Sequence, residues 1–264
     1  MFMEIFLIYL MLGAIVGVVA GLLGVGGGLI IVPVLIMIFQ YQDISSDILV
    51  HLAIGTSLAT IMITSLSSIW AHHQHGAVLW PVFLKLVPGI IIGAWIGAYI
   101  AQQLQTDMLR IVFGVFEFYV AVQMSLNIKP KPHRVLPKTG GMFISGNVIG
   151  GVSSIVGIGG GSLTVPFLVW CNINMRQAVA TSAACGLPIA VAGSIGFAVT
   201  GWSESNLPEH TSGYIYWPAF LGIVLTSVLF APLGAKWAHQ LPVAKLKMIF
   251  ALLLFVLAAK MFLG

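Results

Sequence analysis

The sequence predicts an all-α polytopic membrane protein made of two inverted-topology structural repeats, and three observations carry that prediction. Of the 264 residues, 59% are hydrophobic and 7% charged, with a mean hydropathy of +1.06; a soluble domain typically carries about 25% charged residues. Apolar stretches of about 20 residues recur along the whole length, each long enough to cross a hydrocarbon core about 30 Å thick. Finally, the run GVGGGLIIVP at 24–33 returns as GIGGGSLTVP at 157–166. Lipid offers no partner for free backbone groups, so the spanning segments are expected to be helices.

The elements follow in chain order, as about eight to ten hydrophobic segments. Residues 3–22 lack a basic leader and a small-residue cleavage site, which predicts a retained helix. The glycine run interrupts it, and a helix is expected to restart over 28–40. At about 20 Å that piece is too short to span comfortably, so the pair is expected to be a discontinuous or re-entrant hairpin. Helices near 50–70, 79–102 and 108–127 complete a first repeat over residues 1–127. A basic linker, 128–140, carries Lys129, Lys131, Arg134 and Lys138. The second repeat, 141–264, holds helices near 141–156, 161–172, 175–200, 214–238 and 244–263.

The halves match in register. Gly24, Gly26, Gly27, Gly28 and Pro33 correspond to Gly157, Gly159, Gly160, Gly161 and Pro166. Thr56-Ser57 corresponds to Thr181-Ser182, Trp80-Pro81 to Trp217-Pro218, and Gly97 and Phe113 to Gly234 and Phe250. Charge decides the relative orientation, because basic residues gather on the cytoplasmic side. With the linker cytoplasmic and an odd number of crossings per half, nine of the 11 lysines and arginines fall inside and only Arg110 and Lys260 outside. An even number leaves no bias. Inverted repeats are therefore expected, with the termini outside.

The glycine turns are the first candidate site. Three consecutive glycines discourage helix, at about 1 kcal/mol each relative to alanine, and permit positive φ. Each run is followed by a helix start, whose unpaired N–H groups and positive dipole end favour an anion. Broken-helix ends of this kind hold substrate near the bilayer midplane in transporters with inverted repeats. The expected substrate ligands are Gly24, Gly26, Gly27 and Gly28 with Gly157, Gly159, Gly160 and Gly161. Hydroxyls are expected from Thr56, Ser57, Ser162, Thr164, Thr181 and Ser182, with Cys185 beside them. Gly13, Gly17 and Gly21, and Gly93 with Gly97, have the small-residue spacing of close helix packing.

Intramembrane charge is scarce. Glu117 sits near mid-bilayer, which makes it the proton-coupling candidate; its match is Leu254. His72, His73 and His75 lack the i, i+4 spacing that puts two imidazoles on one helix face, so no metal is expected. No cofactor or nucleic-acid partner is expected either, and Cys171 and Cys185 form no disulfide framework.

These segments resemble the TauE/SafE family, the sulfite exporters and their 4-toluene sulfonate uptake permease-type relatives. The resemblance rests on the repeated GxGGG-x4-P element, the GTS and ATSA segments, HHQHGAVLWP, SGYIYWPAFLGI and the ending APLGAKWAHQLPVAKLKMIFALLLF. It covers essentially the whole chain. What it implies is a secondary transporter of a small sulfur anion such as sulfite, thiosulfate or an organosulfonate, in a bacterial inner membrane and without an ATPase subunit. Relatives often carry a basic and then an acidic residue where this chain has His75 and Leu79. An anion channel and an intramembrane thiol-dependent sulfur enzyme using Cys185 are the alternatives. The channel needs a continuous pore, and the enzyme needs a general base near the thiol.

Overall fold

The structure is a computed structural model that describes residues 2–23, 26–74, 76–126, 134–238 and 243–263. Ten helices run through the described residues: α1 (Phe2–Leu23), α2 (Gly28–Tyr41), α3 (Ser46–Gln74), α4 (Trp80–Gln103), α5 (Thr106–Ser125), α6 (Thr139–Val156), α7 (Gly161–Trp170), α8 (Met175–Thr200), α9 (Trp217–Ala238) and α10 (Val243–Leu263). Each expected segment has become one helix. The largest difference is α3, which begins at Ser46 and reaches Gln74, because Asp47 in its first turn favours a helix start among residues too polar to read as membrane.

Among the described residues, seven helices are long and apolar enough to cross a membrane: α1, α3, α4, α5, α6, α8 and α9. The chain is a polytopic helical membrane protein. Its centre is α3 and α8, whose most apolar windows are 83% and 61% buried, against 33% for α1, α5 and α9. The outer helices therefore turn large apolar side chains such as Met11, Leu84, Tyr99 and Phe118 to the lipid.

Pairing is reciprocal between the halves. α1 packs along α9, and α6 along α4; α3 packs on α8, and α5 on α10. The first helix of each half thus lies against the fourth helix of the other. Glycine makes these contacts close. Gly89, Gly93 and Gly97 of α4 sit against the backbone of Phe143, Asn147 and Gly151, while Gly13 and Gly17 of α1 sit against Ile223 and Ser227. A Cβ at any of them would meet backbone atoms, so the small-residue stripes act as the sequence predicts.

α1 with α2, and α6 with α7, are antiparallel hairpins. The Tyr9 hydroxyl donates to Gln42 Oε1 at 3.1 Å, which sets the end of α2 level with the first third of α1. Arg134, just before α6, donates its N–H to Trp170 O at 3.3 Å and stacks its guanidinium over the Trp170 ring, which sets the end of α7 beside the start of α6. α8 begins next to the open end of the second hairpin, capped by Asn174 accepting from the Gln177 N–H at 2.9 Å. It ends by Tyr214, and the neighbouring Tyr216 ring lies against Tyr9 and Phe39 at the open end of the first hairpin. The two hairpins therefore approach from opposite ends of α8. At 14 and 10 residues, α2 and α7 are about 21 and 15 Å long, short of a bilayer core.

Candidate functional site

The hairpin tips are the glycine runs. Gly26 and Gly27 have φ of 75° and 77°, and Gly157 and Gly160 have 74° and 75°. These left-handed conformations penalise any residue with a Cβ by about 1–2 kcal/mol, which is why the chain stops being helical there. Gly27 and Gly160 are the N-caps of α2 and α7. The N–H groups of Ile30 and Ile31 both donate to Gly27 O, and those of Leu163 and Thr164 both donate to Gly160 O. The N–H groups of Gly28 and Leu29, and of Gly161 and Ser162, precede the first intrahelical donors and have no intrahelical acceptor.

The tips touch. A Cβ on Gly26 would lie 3.6 Å from Gly159 Cα, and one on Gly28 would lie 2.5 Å from Gly157 O and 3.0 Å from Ile158 Cα. Behind the second tip, a Cβ on Gly186 of α8 would lie 2.9 Å from Gly159 O. Two helix N-termini are thus enclosed at the centre, each presented on a tip that only glycine allows to come so near. Gly24 lies outside the described residues, as does His75.

The matched threonines make matched bonds. Thr56 Oγ1 accepts from the Tyr216 N–H and Thr181 Oγ1 from the Leu79 N–H, both at 3.0 Å. Tyr216 and Leu79 are the residues that lead into α9 and α4, where Pro218 and Pro81 suit the first helical turn. Each half therefore anchors the fourth helix of the other, through a hydroxyl that keeps its own proton to donate. Ser57 donates to Gly157 O at 2.9 Å, tying α3 to the tip of the second hairpin. Its match Ser182 is fully buried, and its hydroxyl has no partner among the described residues.

Ser162 and Thr164 also carry unpartnered hydroxyls, at the start of α7. The structure adds two residues that sequence reasoning missed, Ser153 and Ser154 at the end of α6, both fully buried with free hydroxyls. Their doublet four residues before Gly157 was the available signal, since Ala20 and Gly21 occupy the matching positions. Cys185 is a fully buried free thiol on α8, one residue from Gly186.

Glu117 is carried by α5. It is fully buried on the α5 face that includes Phe113, Gly114, Val120 and Ala121, in the helix that packs on α10. Neither of its oxygens has a hydrogen-bond partner among the described residues. His51 was also missed: buried on α3, it bonds through Nε2 to Ala101 O at 2.9 Å, and its ring centroid lies 5.1 Å from that of Tyr214. No group of three metal-binding side chains occurs among the described residues. A small cleft lined by Ile5, Phe6, Tyr9, Gln42, Tyr216 and Pro218 lies at the open end of the first hairpin, away from the tips.

These features define a multi-pass helical membrane protein with two helix N-termini enclosed at its centre. The chain belongs to the sulfite exporter TauE/SafE family, whose profile matches residues 9–261. It is 40% identical over 258 residues to a probable membrane transporter protein of Haemophilus influenzae, covering 97% of this chain and 98% of that one. It is 27% identical to the probable membrane transporter protein YunE of Bacillus subtilis, covering 97% of each. A probable membrane transporter protein of Methanocaldococcus jannaschii is 26% identical over 88% of this chain and 84% of its own. No solved structure matches the chain. These relatives are named as probable membrane transporters.

Proposed function

We propose that the protein is a secondary transporter for a small sulfur-containing anion such as sulfite, thiosulfate or an organosulfonate. The observation that carries this reading is the meeting of Gly26 with Gly159, and of Gly28 with Gly157, at the tips of two hairpins. Helix N-termini concentrate unpaired N–H donors and positive dipole, which is what a dehydrated anion requires. Gly26 to Gly28 and Gly157 to Gly161 supply backbone donors, and Ser162, Thr164 and Ser182, whose hydroxyls have no partner among the described residues, supply side chains, with Cys185 also on α8. Thr56, Ser57 and Thr181 hold the second tip and the starts of α9 and α4 in place. With no lysine or arginine buried among the described residues, the anion is held by neutral donors and released without breaking an ion pair.

The two halves act as inverted-topology repeats, each contributing one discontinuous or re-entrant hairpin and an odd number of crossings. The reciprocal pairing of α1 with α9 and α6 with α4 supports this, as does the nine-to-two division of basic residues. The linker faces the cytoplasm, the termini face outward, and the membrane is a bacterial inner membrane. Contact between the tips is the closed state, and rocking of one repeat against the other exposes the site to either side in turn. Glu117, buried and unpartnered, carries the coupling proton.

Flux into liposomes containing the purified protein, with a panel of sulfite, thiosulfate, organosulfonates and sulfate and with or without a pH gradient, tests the reading. Saturable movement of at least one reduced sulfur anion or sulfonate, faster with a pH gradient, is expected. If none of the panel moves, the substrate assignment is wrong.

A further inference from the structure

The two glycine turns share a left-handed N-cap, Gly27 and Gly160, in opposite side-chain surroundings. A Cβ on Gly27 would meet Val16 Cγ1 and, at 3.7 Å, Ile31 Cδ1. A Cβ on Gly160, the matching position, would meet Ile189 Cδ1, but also Thr164 Oγ1 at 3.4 Å and Ser153 Oγ at 3.6 Å. The sequence shows the same division. Ser153, Ser154, Ser162 and Thr164 in the second half replace Ala20, Gly21, Leu29 and Ile31 in the first.

Those hydroxyls also differ from several others on the described helices. A serine or threonine in a membrane helix ordinarily bonds a carbonyl one turn back. Thr60 does so to Ser57 O at 2.7 Å, Ser65 to Met62 O at 3.0 Å and Ser194 to Val191 O at 3.2 Å. Ser153, Ser154, Thr164 and Ser182 are fully buried, and none of their hydroxyls has any partner among the described residues. Buried hydroxyls are normally satisfied. Here Ser153 and Thr164 converge on the N-cap of a ten-residue helix, where N–H donors exclude a cation.

We propose that the anion's side-chain ligands come from the second hairpin and α8 alone: Ser153 and Thr164 at the N-terminus of α7, joined by Ser182 of α8, the helix that packs on α7. The first tip, where Gly27 faces Val16 and Ile31, adds no side-chain ligand. This rests on the anion-transport reading above and makes it asymmetric. Hydroxyl and amide donors arrayed around one helix start suit a group with three oxygens, the –SO3 unit shared by sulfite and sulfonates, over a halide.

The test measures concentration dependence of sulfite and methanesulfonate flux in liposomes for Ser153→Ala, Thr164→Val and Thr164→Ser, with the first-half control Ile31→Val. One lost hydrogen bond to a charged ligand is worth about a ten- to a hundredfold change in apparent affinity. Ser153→Ala and Thr164→Val are expected to raise KM by that factor, Thr164→Ser to stay near wild type, and Ile31→Val to change it less than about twofold. Ser153→Cys, in a chain carrying Cys171→Ser and Cys185→Ala, gives a second readout should a variant fold poorly. Methanesulfonate is expected to slow its reaction with a thiol reagent, and not that of Ala20→Cys in the same chain. An unchanged KM in both hydroxyl variants, or equal protection at Ala20→Cys, overturns the asymmetric site while leaving anion transport standing. Absence of any sulfur-anion flux in the wild type instead removes the transport reading beneath it.

Discussion

Thr56 and Thr181 make a prediction whose size follows from the structure. Each hydroxyl, fully buried, accepts one backbone N–H of the opposite half at 3.0 Å. Valine has nearly the same shape and no acceptor, so Thr56→Val leaves the Tyr216 N–H unsatisfied and Thr181→Val does the same to Leu79. A buried donor deprived of its partner costs about 1–3 kcal/mol. Serine keeps the acceptor and loses one methyl, about 0.8 kcal/mol. Stability is therefore expected to fall in the order wild type, serine, valine at both positions, and by similar amounts because the two bonds match in length and role. Thermal and denaturant unfolding of the detergent-solubilised protein measures this. Valine variants as stable as wild type, or serine variants worse than valine ones, would refute the view that these threonines fasten each half to the other's fourth helix.

Other expectations follow from particular contacts. Gly28→Ala gains about 1 kcal/mol of helix propensity, but its Cβ would sit 2.5 Å from Gly157 O; overpacking of this kind costs about 1–3 kcal/mol. Lower stability and slowed flux are expected, whereas Gly140→Ala, with nothing within 4 Å, serves as the neutral control; wild-type behaviour of Gly28→Ala contradicts the tip contact. Glu117→Gln is expected to abolish the response of flux to a pH gradient while anion exchange continues, and an unchanged response removes the coupling role. In a chain carrying Cys171→Ser and Cys185→Ala, cysteines at Ser45 and Ser205 should react with an impermeant thiol reagent from outside the cell, and one at Val135 only after the membrane is opened. Outside labelling of all three sinks the inverted arrangement.

How much of this was legible in the sequence depends on whether the cause is local. Helix breaks at Gly27 and Gly160 were legible because positive φ is a demand on single residues, and the sequence met it twice. The start of α4, expected at 79, falls at Trp80, whereas α9, expected from 214, starts only at Trp217, just ahead of Pro218. Packing by Gly93 and Gly97 was legible from spacing. Ser153, Ser154 and His51 were not, because their interest lies in which partners they have or lack, a property of helices distant in sequence. Thr56 and Thr181 fall between: their matching marked them as important, but only the fold reveals Tyr216 and Leu79 as their partners. The start of α3 at Ser46 was hidden because a membrane helix that projects beyond the lipid changes composition before it changes structure.

The central claim is that a sulfur oxyanion crosses by alternate exposure of a site between the hairpin tips. Counterflow tests it most directly. Liposomes holding the protein are loaded with unlabelled sulfite and diluted into a trace of labelled sulfite. The account predicts a transient accumulation of label above its equilibrium level, since a carrier exchanges one anion for another. Simple equilibration without overshoot, as through an open pore, would contradict it.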